Sequence, residues 1–371
     1  MRYAVLAAML ILTACGNSPA PLAQVSHTPS PSQASPRASP NALPSASPSP
    51  SPKASPTPKP EFLFAVLESS STFGQPGTVA IVGLDGHARS KTTFQPRTNP
   101  GAILQSTAQV VGSWVYYIDA NGTVRVIRAH TSPQVVASFP SAIGPHDIWF
   151  AVSPDGSHLL AGVLTFSSVQ PISKFDLEAA NAGGQWKVLV HSQFASDTNG
   201  PTTFPVGWTS TGPVAMVGSL LTTQNSWPGG LLYDISNAGQ KTKQVGGSGC
   251  YSDTITPSGL IPCSSSGVLT IRDSLGKLVW TPQIDGSYAP SLHISPDGQS
   301  ISNQVQAERH GGKVAQMQSA FQIQGWLDSN TVVGRLQYQN GSKGDLSWIS
   351  VSQPTKLHDL GFKGDFVATL A

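Results

Sequence analysis

The sequence predicts an all-β protein, a single β-propeller of seven four-stranded blades closed by its N- and C-terminal strands, behind a disordered Pro/Ser-rich linker. Three observations carry that prediction. Short apolar runs alternate with turn signals throughout residues 61–371, and the chain ends in a strand-like run with no unit of its own. One turn unit also recurs about every 44 residues, the size of a four-stranded blade.

Composition points the same way. Charged residues make up 11% of the chain, against roughly 25% in ordinary soluble domains. Gly, Ser, Thr, Val and aromatics suit pleated strands and tight turns better than helices with ion-paired faces. The only helix candidate, Phe175 to Ala182, is too short to matter. The formal charge is +2, yet Arg2, Arg37, Lys53 and Lys59 precede Glu61 and no acid does. The remaining 17 basic and 19 acidic side chains form no basic stripe to neutralise phosphates, which sets a nucleic-acid partner aside.

Residues 1–14 read as a signal peptide. Arg2 supplies a charge and Tyr3 to Leu12 an apolar run. Ten residues reach about 15 Å, half a bilayer core, so the run is too short to span. It ends Leu12-Thr13-Ala14-Cys15-Gly16, an order that resembles the bacterial lipobox. The resemblance implies cleavage before Cys15, acylation of its thiol, and a protein lipid-anchored on the extracytoplasmic side of a cell membrane. Residues 15–60 hold this Cys and the linker. From Asn17 to Pro60 there are 13 prolines in 44 residues, and each removes an amide donor and fixes φ. Polyproline II is the expected local state, a spacer reaching on the order of 130 Å when fully extended.

The propeller is assigned to residues 61–371. Phe62 to Leu67, Trp114 to Ile118, Val124 to Ile127 and Thr331 to Val333 read as strands. Asp85-Gly86, Asn121-Gly122 and Asn340-Gly341 suit two-residue hairpins, whose central positions both favour φ > 0. Ser153-Pro154-Asp155-Gly156 and Ser295-Pro296-Asp297-Gly298 are the clean copies of the recurring unit. Weaker ones end at Gly212, Gly259 and Asn330, and Gly112 marks a further candidate. Proline fits the second position of a type I turn, Asp and Ser cap its amides, and Gly takes the following position where φ is positive. The predicted units are 61–103, 104–142, 143–198, 199–247, 248–286, 287–319 and 320–364. The short sixth unit leaves six or eight blades open, and a β-sandwich is the structural alternative. The SPDG units resemble those of TolB-type and WD40-like propellers, although the Gly-His and Trp-Asp signatures of WD40 repeats are absent. Asp365 to Ala371 is expected to pair with the first strand and leave no exposed edge.

Chemistry is sparse. Cys250 and Cys263 flank a repeat turn, and outside the cytoplasm an oxidised pair is the natural reading. No zinc or calcium ligand spacing occurs, so no metal and no cofactor is expected. The G-x-S-x-G elbow is absent, and His146-Asp147, the tightest acid–imidazole neighbours, sit where adjacent side chains point apart. Trp149, Trp208 and Trp326 precede repeat turns and are expected in the core.

These features favour a non-catalytic binding or scaffold module, expected to be monomeric, for a protein or an envelope polysaccharide. The alternative is an extracytoplasmic hydrolase or lyase whose site is assembled from several blades. Converging carboxylates at the central channel would mark the enzyme. The expected binding face lies on three long loops, Ser69 to Gly77, Phe166 to Gln185 and Thr222 to Gly230. They carry Phe73, Phe166, Phe175 and Trp227, aromatics in polar surroundings of the kind that anchor interfaces.

Overall fold

The computed structural model describes residues 62–68, 76–95, 108–139, 146–166, 172–184, 186–195, 201–219, 230–252, 254–265, 268–285, 292–338 and 342–371. The signal segment 1–14, Cys15 with the linker to 60, Phe73, Trp227 and Asn340-Gly341 lie outside the described residues. Residues Lys59–Ala371 form one compact unit.

The described residues are all-β, without a helix, and the strands pair antiparallel, mostly with their sequence neighbours. Strands β1 (Leu63–Glu68), β2 (Gly77–Gly83) and β3 (Ala88–Phe94) open the series. A four-stranded sheet follows from β4 (Ala108–Val111), β5 (Trp114–Ile118), β6 (Thr123–Ile127) and β7 (Gln134–Ser138). The next holds β8 (His146–Val152), β9 (His158–Phe166), β10 (Ile172–Asn181) and β11 (Lys187–Ala195). Two sets then share one eight-stranded sheet. The first is β12 (Pro201–Thr209), β13 (Gly212–Ser219), β14 (Gly230–Ile235) and β15 (Lys241–Gln244). The second is β16 (Tyr251–Ser252), β17 (Ile261–Ser265), β18 (Val268–Arg272) and β19 (Leu278–Trp280). They join where Leu231 of β14 pairs with Tyr251 of β16. Another sheet comprises β20 (His293–Ile294), β21 (Ser300–Ser302), β22 (Gln306–Arg309) and β23 (Ala315–Gln316). After it come β24 (Phe321–Asp328), β25 (Thr331–Gln337), β26 (Lys343–Ser350) and β27 (Leu357–Phe362). The last strand, β28 (Asp365–Thr369), pairs with β1, Phe64 facing Thr369, and completes the first sheet.

The core lies between successive sheets. Ile81 and Phe94 of the first sheet pack with Val115 and Tyr117 of the second, whose Ile118 and Val124 pack with Ile148 and Leu159 of the third. The series returns to its start, because Leu327, Val333 and Leu346 of the last sheet share a cluster with Phe64 and Val82 of the first. Antiparallel sheets packed face to face in this order are consistent with a β-propeller.

One local turn builds many of the hairpins. At Ser153–Gly156 the Gly156 amide donates to the Ser153 carbonyl at 2.8 Å, and Gly156 takes φ +72°. The Asp155 carboxylate accepts from the Ser153 hydroxyl at 2.5 Å and from the Ser157 amide at 3.0 Å. Those hydrogen bonds hold its carboxyl well below the usual range. Ser295–Gly298 and Thr256–Gly259 repeat the geometry. Asp85-Gly86 and Asn121-Gly122 do as well, which corrects the two-residue hairpins expected there. Only the glycine has positive φ, and the four-residue turn starts at Gly83 or Asp119. Capping explains the difference, since the Asp119 carboxylate accepts from both the Asn121 and Thr123 amides at 3.0 Å.

Phe175 to Ala182 is not helical. Residues up to Asn181 belong to β10, paired along its length with β9 and β11, so tertiary pairing overrides a modest helical propensity. The expected loop from Phe166 to Gln185 therefore contains a strand.

Candidate functional site

The first strands of the successive sets lie together. Strand β8 packs against both β4 and β12, while β28 packs against both β4 and β24. Strands β4, β8, β12 and β28 line a cavity of about 710 Å³, walled also by Thr254, Ile255, Pro257 and by His293 of β20. Local sequence explains the approach. Pro205 lies in β12 beside a register shift, tolerable because β12 is the edge of its sheet. Gly207 follows, where a Cβ would come within 2.6 Å of the Ile255 side chain, so glycine lets the two segments close up. Pro154 and Pro257, the second residues of two repeat turns, reach the same cavity.

The wall is more apolar than polar, and its side chains are uncharged. Trp149 tilts against the buried Phe204 ring at 4.1 Å between centroids, and Trp208 stands on the same strand as Phe204. No Asp, Glu, Lys or Arg lines the cavity among the described residues. Its polar groups are few. The Gln109 carbonyl oxygen accepts from the Val152 amide at 2.8 Å, bridging β4 to β8 and leaving its NH₂ without a partner among the described residues. Thr254 contributes a hydroxyl and His293 an imidazole. Burial pushes the His293 ring down to about 4, so it is neutral at physiological pH. The His293 carbonyl accepts from the Trp326 indole N–H at 2.9 Å, which fixes β20 against β24.

The expected site residues fare differently. Phe175 is a core residue and not a surface anchor. Its ring is 1% exposed, edge-on to Phe204 at 5.7 Å, and Gly162 opposite leaves it room. The reason is that β10 is a central strand of its sheet, packed against the next one. Phe166 ends β9, and its side chain, like those of His146 and Asp147, lies outside the described residues. Of the three tryptophans expected in the core, Trp326 is buried at 3% exposure. Trp149 and Trp208 are half-buried on the cavity wall. Their position just before a repeat turn does not separate them from Trp326, which shares it, so that signal alone did not place them on the cavity. Cys250 and Cys263 form a disulfide with Cα atoms 4.7 Å apart, inside the buried cluster that includes Ile261.

No protein-family model matches the chain, and no curated protein sequence matches it. Among solved structures it is similar to an oligogalacturonate lyase from Vibrio parahaemolyticus, with 8% identity and a TM-score of 0.44 over 79% of this chain and 92% of that one. It is similar as well to AztD from Citrobacter koseri, with 10% identity and a TM-score of 0.43 over 84% and 97% of the two chains. The WD40 domain of SCAP from fission yeast gives 11% identity and a TM-score of 0.37 over 84% and 88%. These neighbours are β-propeller proteins, among them both a lyase and a WD40 domain.

Proposed function

We propose that this chain is a non-catalytic binding module, a seven-bladed propeller closed by β28 against β1 and held to a membrane by lipid on Cys15. The observation that carries the binding reading is the neutral cavity wall. A site assembled from several blades for hydrolysis or elimination needs a general acid and base within reach of one another. The point where the first strands converge offers no carboxylate among the described residues. The blade count follows from taking the eight-stranded sheet as two blades bridged by the short β14–β16 pairing. The anchor reading rests on the Leu12-Thr13-Ala14-Cys15 order and the spacer behind it. The partner expected on this reading is an envelope protein or polysaccharide, met at the end of the spacer.

Membrane fractionation and affinity capture test the proposal together. The protein is expected in the membrane fraction, beginning at Cys15 with an added acyl mass, and Cys15→Ser is expected to release it. Immobilised protein should retain an envelope component that a heat-denatured sample does not. An unmodified Cys15 in membrane-extracted protein, or equal retention by the denatured sample, refutes the corresponding half.

A further inference from the structure

We propose that the cavity enclosed by the first strands binds one uncharged, largely apolar small molecule bearing a single hydrogen-bonding group, seated against Trp149 and Trp208. This goes beyond macromolecular binding by the head and does not depend on it. The cavity, about 710 Å³, falls in the range of small-molecule sites, which pair apolar walls with a few placed polar groups. Two indoles supply flat stacking area. Any ionised ligand would lose its hydration with no countercharge to meet it among the described residues, a cost that paired charges normally offset. The Gln109 NH₂, the Thr254 hydroxyl and the neutral His293 ring give donors and acceptors for one polar group. They are too few for a saccharide, whose several hydroxyls each need a partner once buried. A second cavity of about 350 Å³ also touches Trp208, but His158 and Lys187 make its lining ionisable.

The test uses the full chain and N-phenyl-1-naphthylamine, a neutral aromatic probe with one N–H donor. The sulfonated relative 8-anilinonaphthalene-1-sulfonate is the charged comparison. The neutral probe is expected to bind saturably, one per chain, with tryptophan-to-probe energy transfer, and at least tenfold more tightly than the sulfonate. Gln109→Glu keeps the acceptor for the Val152 amide while adding a charge, and should weaken neutral-probe binding at least tenfold at unchanged circular dichroism. Val110→Trp should abolish binding by filling the cavity. Lys187→Glu, on the second cavity, should leave it unchanged. Absence of saturable binding overturns the proposal. So does sulfonate binding as tight as the neutral probe's, or a response to Lys187→Glu without one to Gln109→Glu.

Discussion

The Arg335 guanidinium stands 2.5 Å from the Asp365 carboxylate and so ties β25 to the first residue of the last strand. Gln324 completes the clasp. Its NH₂ donates to the same carboxylate at 2.8 Å, and its carbonyl accepts from the Phe366 amide at 2.8 Å. Because β28 is the partner of β1, this clasp joins both ends of the folded unit to the last sheet. Arg335→Ala is expected to cost about 1–2 kcal/mol, through lost charge-assisted hydrogen bonds and lost packing of its stem. Hydrogen exchange should rise first at the amides of β28 and β1, and uniform exchange across all sheets would contradict the assignment.

Two of the repeat-turn glycines, Gly156 and Gly298, act as spacers between neighbouring sheets. A Cβ on Gly156 would collide with the Tyr116 hydroxyl, and one on Gly298 would come within 2.5 Å of Leu260, while Gly112 has open space around it. All three have positive φ. Gly112→Ala should therefore show backbone strain alone, about 1 kcal/mol, and Gly156→Ala roughly 2–3 kcal/mol in urea unfolding. Tyr116→Phe combined with Gly156→Ala should recover part of the difference, which a double-mutant cycle would measure.

Reduction should loosen the eight-stranded sheet. Cys250 and Cys263 are 13 residues apart and each is 1% exposed. A closed loop of that size contributes about 3 kcal/mol by constraining the unfolded chain. Cys250→Ala with Cys263→Ala is expected to lower the urea midpoint by that equivalent, and to make the midpoint insensitive to reductant. An unchanged midpoint would show that the bridge adds nothing.

His293 predicts a particular pH dependence. Its ring takes a proton near 6.5 when unfolded but only near 4 when folded, because burial disfavours the charged form. The unfolded state thus binds more protons between those values, so stability is full above about pH 6.5 and falls as pH drops towards 4. Partial exposure on the cavity wall limits the loss to on the order of 2 kcal/mol. Asp85 adds a separate, lower window. Its carboxyl is held at about 2 by the Arg89 side chain and the His87 amide, so its contribution is lost as pH falls from about 4 to 2. His293→Phe should flatten the upper window and leave the lower one.

The turns were legible in the residues because their chemistry is local. Proline's fixed φ, a capping Ser or Asp and a glycine free to take positive φ all act within four or five residues. The marked positions Gly112, Gly156, Gly259, Gly298 and Asn330 fall between the first and second strands of their sets, and Gly212 opens the second strand of its own. The pairing of Cys250 with Cys263 was legible on similar grounds, since the two flank one such turn. Tertiary packing decided what lies against each side chain. Phe175 sits in a short polar-looking stretch, yet Phe204, 29 positions later in the chain, covers its ring. Trp149 and Trp208 share the sequence context of Trp326, but only they line the cavity. Burial depends on which strand packs opposite, and that partner is set by the order of sheets around the core, which no short window of sequence contains.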